Sequence, residues 1–441
     1  MKTILKSALS VIFPVMMAFS ILPDAIGHCE SLASDFGICN VKVDPPTPAV
    51  GNGSTDDTAA IQYCITYYPV IFFPAGTYLV GYTGSLPFSI TGAQTLYGVG
   101  RSTAGGSIIS VYLGSSANVF TVNTPQAAVF RDLQITTSNS STRSTGCGID
   151  LEGYTTNSII ENCSIAYQQY NIKMGYSSQS HIKGNYLVSA YTAEIYASDS
   201  SCADCGGGEI IGNVMAGSAP YGMLQENGGG VKFIGNQEMS HQYGYVYNCD
   251  SNSGGDTSDV IIQGNSFNTA SVIPILFEQT SGSYNLSIVT IDGNVIYSQG
   301  SAGISFTGGT GWLNYVTVSN NNILVNAKGS VGINLADGNY VTVTGNNIRN
   351  QGSASNAVAV AASYPQSARI EANNAVNFTS PWTLAGNTSV TWVQGPITKA
   401  YLTAAAPGSS MYCSDCKVQS SCVTGGSGAI AKYLNNAWVC N

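Results

Sequence analysis

Val231-Lys232-Phe233-Ile234-Gly235-Asn236 is the stretch whose reading decides the fold. Its pattern, apolar-x-apolar-x-Gly-Asn, returns as Val260 to Asn265 (VIIQGN), Val289 to Asn294 (VTIDGN) and Val341 to Asn346 (VTVTGN). Weaker copies place an asparagine at 162, 185, 213, 321 and 373. Successive asparagines stand 23 to 29 residues apart, with a mean of about 26. A period of this size marks a solenoid.

The physics inside one repeat favours strands. Val-x-Ile alternates with period two, so alternate side chains point inward. Gly-Asn then tolerates a left-handed backbone, and the chain can bend sharply there. Stacked asparagines roughly 4.8 Å apart can hydrogen-bond one another along the stack. No repeat carries the long 3.6-period stripe of a helical solenoid. About ten residues after each asparagine comes a second strand, Gly-apolar-x-apolar, as in Gly222-Met223-Leu224-Gln225 and Gly303-Ile304-Ser305-Phe306. Variable loops follow, and in stacked coils such loops gather on one side and carry function.

Composition bounds the rest. The chain has 441 residues, too many for one ordinary core but suitable for a repeat architecture. Only 9% of residues are charged, while Gly reaches 50 and Tyr 26. This is neither a disordered nor a membrane-spanning mix. A net charge of −9 argues against a nucleic-acid partner. It allows a neutral glycan and requires local cations or a bound metal for a heavily anionic one.

Residues 1–27 read as a secretion signal. Lys2 and Lys6 precede an apolar run from Leu9 to Leu22, and Ala25-Ile26-Gly27 offers a cleavage site before His28. The expected mature protein is exported, without a membrane span. Twelve cysteines follow that site. Export favours disulfides, with a zinc site from the two C-x-x-C pairs, Cys202/Cys205 and Cys413/Cys416, as the alternative.

The segment before the repeats is specific. Gly51-Asn52-Gly53-Ser54-Thr55-Asp56-Asp57-Thr58-Ala59-Ala60-Ile61-Gln62 is followed by Val70-Ile71-Phe72-Phe73-Pro74-Ala75-Gly76-Thr77-Tyr78. This resembles the N-terminal motif of the pectate lyase superfamily, which includes polygalacturonase-like enzymes and phage tailspikes. Thr95 to Arg101 (TLYGVGR) resembles the family's next strand and turn. The likeness covers roughly residues 42 to 380. It implies an all-β fold: a right-handed parallel β-helix with a short N-terminal capping helix, whose N-cap is Asp57 or Asp56. The solenoid is expected over 28–394. After Gly395-Pro396 a small disulfide-stapled β module is expected over 395–441. The family's Gly-Asp-Gly reads Gly51-Asn52-Gly53 here. The polygalacturonase signatures Asn-Thr-Asp, Gly-His-Gly and Arg-Ile-Lys are absent, so no family catalytic residue is carried over.

Register then places the acids. In the Gly-apolar-x-apolar strand the two apolar positions point inward. The next position points out, onto a face that often forms the substrate groove in the family. On successive coils it holds Glu152, Gly175, Ser198, Glu226, Asn248, Glu278, Thr307 and Ala336. Glu226 and Glu278 are two rungs apart, roughly 9.6 Å. Glu194 and Asp250 each fall roughly 8 Å from Glu226. Such separations suit an acid and a base flanking a water, so Glu226 is the expected catalytic residue with Glu278, Asp250 or Glu194 as partner. Tyr196, Asp199, Asn248, Lys173 and His241 are the expected substrate contacts, although a structural role suits His241 better. Tyr245 and Tyr247 should point inward.

These readings favour a secreted glycoside hydrolase acting on a polysaccharide, without cofactor or metal. A polysaccharide lyase is the runner-up. It needs a cation for the uronate, and there is no Arg between Arg143 and Arg349. Lys173 or calcium held by Asp199, Asp250 or Asp256 would have to serve. A glycan-binding adhesin without activity is the third reading. The chain is expected to be a monomer or a homotrimer.

Overall fold

The computed structural model describes residues 37–397 and 410–441, apart from 103–104, 152–156, 176–178, 199–206, 250–256, 281–284, 309–311, 327–329, 353–357, 364–366, 379–381, 385–388, 414, 420 and 436. The expected secretion signal, Asp199, Asp250, Asp256, Glu152 and the Cys202/Cys205 pair lie outside the described residues. Among the described residues no helix is long and apolar enough to cross a membrane.

The chain winds through three parallel sheets in turn, so every third strand returns to the same sheet. Among the described residues sheet A has 17 strands, the last two of them paired antiparallel, sheet B 13 and sheet C 12. One coil shows the path. Val231–Ile234 lies in sheet A, Gln237–Met239 in sheet B and Tyr243–Cys249 in sheet C. The period-two alternation stacks like side chains rung upon rung. Ile182, Ile210, Phe233, Ile262, Ile291, Val318, Val343 and Ile370 pair in register down sheet A, and all are buried. Burying each such side chain is worth about 1.5–3 kcal/mol, and the continuous column is what holds neighbouring coils together. Tyr245 and Tyr247 do point inward, against Phe233, Phe277 and Trp312.

The turn from sheet A to sheet B carries the repeat signature. Each turn has a left-handed residue followed by a ladder residue. The left-handed column runs Asp132, Asn162, Gly184, Gly212, Gly235, Gly264, Gly293, Asn320, Gly345 and Ala372. The ladder proper begins at Asn185 and ends at Asn373. From Asn213 on, each asparagine accepts, through Oδ1, from the backbone N–H and the Nδ2 of the asparagine one coil before, as Asn265 does from Asn236 at 2.8 and 3.1 Å. Its own Nδ2 donates to a backbone carbonyl, here Phe233 at 2.8 Å. The buried amides are thereby satisfied. The expected rung at Asn162 is a correction. Asn162 occupies the left-handed position and bonds Asp132, while Cys163 takes the ladder position and its N–H donates to Asn185 Oδ1 at 2.8 Å. Asparagine serves at either position, which is why sequence alone misplaced it.

At the N-terminal end the helix Thr58–Tyr67 buries Ala60, Ile61, Cys64 and Ile65, and a disulfide ties Cys64 to Cys39. Asp57 is its N-cap residue, but its carboxylate accepts from Val50 and Gly51 instead. Asp56 does the capping, accepting from the Thr58 N–H at 3.0 Å. Gly395 and Pro396 lie inside one strand, Ser389–Ile397, which joins sheet A to Ser410–Cys413. Two antiparallel strands follow, Ala429–Leu434 and Ala437–Cys440, with disulfides Cys413–Cys416 and Cys422–Cys440. Cys163 departs from the disulfide expectation. It is a buried thiol, and burial pushes its pKa up to about 12.

Candidate active site

The outer face of sheet C presents three columns of side chains. The column after the second inward position reads Ser198, Glu226, Asn248, Glu278 and Thr307 on successive rungs. All five are half-buried. A middle column reads Lys173, Tyr196, Leu224, Val246 and Leu276. A third reads Tyr170, Ala193, Tyr221, Tyr243 and Ile273. Ala193, Leu224, Val246 and Leu276 form a cluster separate from the interior core, flanked by Tyr170, Tyr196, Tyr221, Tyr243 and Ile273. The face is therefore a floor of aliphatic side chains with acids along one side and aromatic rings along the other.

The acids are held. The Tyr196 hydroxyl donates to Glu226 Oε2 across one rung. The Tyr196 ring stacks on Tyr170 with centroids 4.4 Å apart, a geometry that the small Ala193 beneath permits. The Thr280 hydroxyl donates to Asn248 Oδ1 at 2.9 Å, between the two glutamates. Burial raises the pKa of Glu278 above the ordinary glutamate value. Burial and the hydrogen bond to Glu226 raise that of Tyr196. Tyr221 and Tyr243 stack at 5.3 Å on the opposite side. Lys173 sits on this face, with its ammonium 3.3 Å from the buried Asp150.

Glu194 and His241 are not in the groove, and this corrects the expectation for both. Neither side chain has any exposure. Glu194 is the second residue of the sheet C strand Ala193–Ser198, and its side chain is buried between the outward Ala193 and the interior Ile195. It accepts from Asn171 Nδ2 and from the Ala190 N–H. His241 Nε2 lies 3.4 Å from Glu194 Oε1, and its Nδ1 lies 2.5 Å from Glu238 Oε1. Burial pushes the His241 pKa down, but hydrogen bonds to Glu194 and Glu238 win and lift it to about 9. Burial raises that of Glu194. On the next coil the equivalent strand position is Gly222, where a Cβ would lie 3.0 Å from Glu238 Cγ.

Of the other expected residues, Asp199 and Asp250 lie outside the described residues. Tyr170 and the aliphatic floor were not among the expected site residues. Extending the register argument from the acid column to its two neighbours would have found them.

No protein-family model matches the chain, and no curated protein matches it in sequence. Solved structures do share its fold. The catalytic unit of a thermostable GH87 alpha-1,3-glucanase from Streptomyces thermodiastaticus aligns with a TM-score of 0.58 at 15% identity, over 81% of this chain and 69% of that one. The A-module of mannuronan C-5 epimerase AlgE6 from Azotobacter vinelandii aligns at 0.54 and 18%, over 80% and 98%. A DFA-IIIase from Arthrobacter chlorophenolicus aligns at 0.52 and 12%, over 84% and 98%. The chain is, like these, a right-handed parallel β-helix protein.

Proposed function

We propose that the chain is an exported polysaccharide hydrolase working in the sheet C groove, with Glu278 as general acid and Glu226 as general base. The observation that carries this reading is the column Glu226, Asn248, Glu278, which sets two half-buried carboxyl groups two rungs apart on one outer face. Two rungs amount to about 9.6 Å of backbone, which suits the wide carboxyl separation of inverting glycosidases. The fold neighbours named as a glucanase, a DFA-IIIase and an epimerase support carbohydrate as the substrate class.

In this mechanism Glu278, whose pKa burial raises, gives its proton to the glycosidic oxygen as the bond to the anomeric carbon breaks. A water attacks that carbon from the opposite face and passes its proton to Glu226. The products are a new reducing end of inverted configuration and a free hydroxyl. Tyr196 fixes the orientation of Glu226. Tyr221 and Tyr243 offer rings on which sugars pack. No step needs a metal. An elimination needs a cation beside a uronate, and Lys173 is already paired with Asp150.

The test is reducing-end release and ultraviolet absorbance on a panel of bacterial and plant polysaccharides, for wild type, Glu226→Gln and Glu278→Gln. New reducing ends without absorbance, lost in both variants, support the reading. Absorbance from an unsaturated product replaces hydrolysis with elimination. Absence of any cleavage leaves a glycan-binding protein without activity.

A further inference from the structure

A second surface stands on sheet A, away from the acids. Near the start of several strands of this sheet, one position takes a left-handed backbone. On four successive coils it holds Asp259, Ile288, Tyr315 and Tyr340, with φ of 66°, 60°, 54° and 53°. The flanking residues pair in register, so the four form one column. The same register position on earlier coils holds Asn157, Gln179 and Gly230, which are also left-handed, and Gly207, which is not; the four help to line a cavity of about 320 Å³.

Asparagine and glycine suit a left-handed backbone; a β-branched isoleucine and two tyrosines do not. Yet Ile288, Tyr315 and Tyr340 are 50%, 59% and 60% exposed, so packing does not repay the strain. Tyr315 and Tyr340 stack nearly parallel, 10° between planes and 5.1 Å between centroids. Strain kept at an exposed position points to function. On one side of the column stand Ser287, Asn314 and Asn339, and on the other Thr290, Thr317 and Thr342. From Ile288 to Tyr340, beyond the exposed Asp259, the face is thus a single file of apolar and aromatic side chains between two rows of uncharged hydroxyl and amide groups.

We infer that this face of sheet A is a second glycan-binding surface, taking one strand of a neutral polysaccharide along the solenoid axis. Its width decides the class of occupant. A stable protein interface needs about 800 Å² from each partner, which three side chains in single file do not offer. One polymer strand is the width of the file. Apolar ring faces and edges meet sugar C–H groups, while the flanking hydroxyls and amides meet sugar hydroxyls. The rows that flank the file carry no charge, so nothing there favours an anionic chain. The surface does not depend on the hydrolase reading, since it would hold polysaccharide away from the groove whatever the groove does.

The experiment is affinity electrophoresis of the full chain through gels holding α-glucan, β-glucan, mannan, xylan or alginate. Three forms are compared: wild type, Tyr315→Ala/Tyr340→Ala and Tyr315→Gly/Tyr340→Gly. Wild type is expected to be retarded by at least one neutral polysaccharide, and each double variant to bind it about tenfold more weakly or worse. The glycine variant is also expected to unfold at a higher temperature, because it removes the strain. Lost retardation in a more stable protein cannot come from misfolding. Retardation of both variants equal to wild type, wild type held by none of the gels, or retardation by alginate alone would each overturn the inference. Cleavage of a short soluble oligosaccharide, measured on the same proteins, reads the groove separately and should be unchanged.

Discussion

The Tyr196 hydroxyl donates a hydrogen bond to the Glu226 carboxylate on the next coil. The two residues stand thirty apart in sequence, in different outward columns, and meet because parallel pairing sets Ser198 beside Glu226 and Tyr196 beside Leu224.

Replacing Tyr196 by Phe tests that bond. The ring stays stacked on Tyr170, so the fold should hold. The carboxylate loses its orienting donor, worth about 1.5–3 kcal/mol for a bond to a charged group. The expected outcome is kcat lowered about tenfold or more with KM little changed, read from initial rates on the polysaccharide found in the panel. Unchanged kcat would remove Tyr196 from the site.

Glu278 predicts a pH limb. Burial raises its pKa, so the acid form persists above the ordinary glutamate range. As general acid it is active when protonated, and the rate should fall as pH rises through that raised value. Glu278→Gln should lower the rate by about 10²–10⁴ and abolish this alkaline limb. A pH–rate profile of kcat/KM for both proteins decides it.

His241 predicts how stability depends on pH. Its pKa is about 9 folded against an ordinary 6.5. Its stabilisation is therefore complete below about 6.5 and is lost as pH rises through about 9. The shift corresponds to roughly 3 kcal/mol. The raised pKa of Glu194 acts in the same direction. Thermal unfolding midpoints should fall between pH 6 and 9. In His241→Gln, which leaves two buried carboxylates without their cation, the midpoint should start lower and change less. Parallel pH curves for the two proteins would show that the cluster does not titrate in this range.

The asparagine ladder predicts a position effect. Asn265→Ala strips the acceptor from the Asn236 N–H and a donor from the Phe233 carbonyl, both inside the wall. The expected cost is about 2–5 kcal/mol. Asn373 is the last rung and its bonds are only partly buried, so Asn373→Ala should cost less. Urea unfolding of the two variants gives the comparison, and equal costs would mean the ladder carries no cooperative burial.

Local chemistry made much of this legible. Strand alternation is a property of neighbouring residues, so the inward Tyr245 and Tyr247 and the outward column through Glu226, Asn248 and Glu278 follow from the repeat. Breaks in the alternation obey a different rule. Glu194 is the second residue of the strand Ala193–Ser198 and is buried beside both the outward Ala193 and the interior Ile195, so counting by twos cannot say which way it points. The Asn162 rung failed for a related reason, since two adjacent residues can exchange the left-handed and ladder roles.

The sequence by itself determined the solenoid, its period and the order of acids on one face, because each depends on residues within one coil or on equal spacing between coils. Only the tertiary structure decided that Glu194 and His241 are interior partners. Their meeting spans 47 residues and depends on how the coils stack. Only the structure, too, set Ile288, Tyr315 and Tyr340 outward on a strained backbone. That column arises from a left-handed residue at the second or third position of these strands, a backbone choice that no side-chain pattern in those repeats announces.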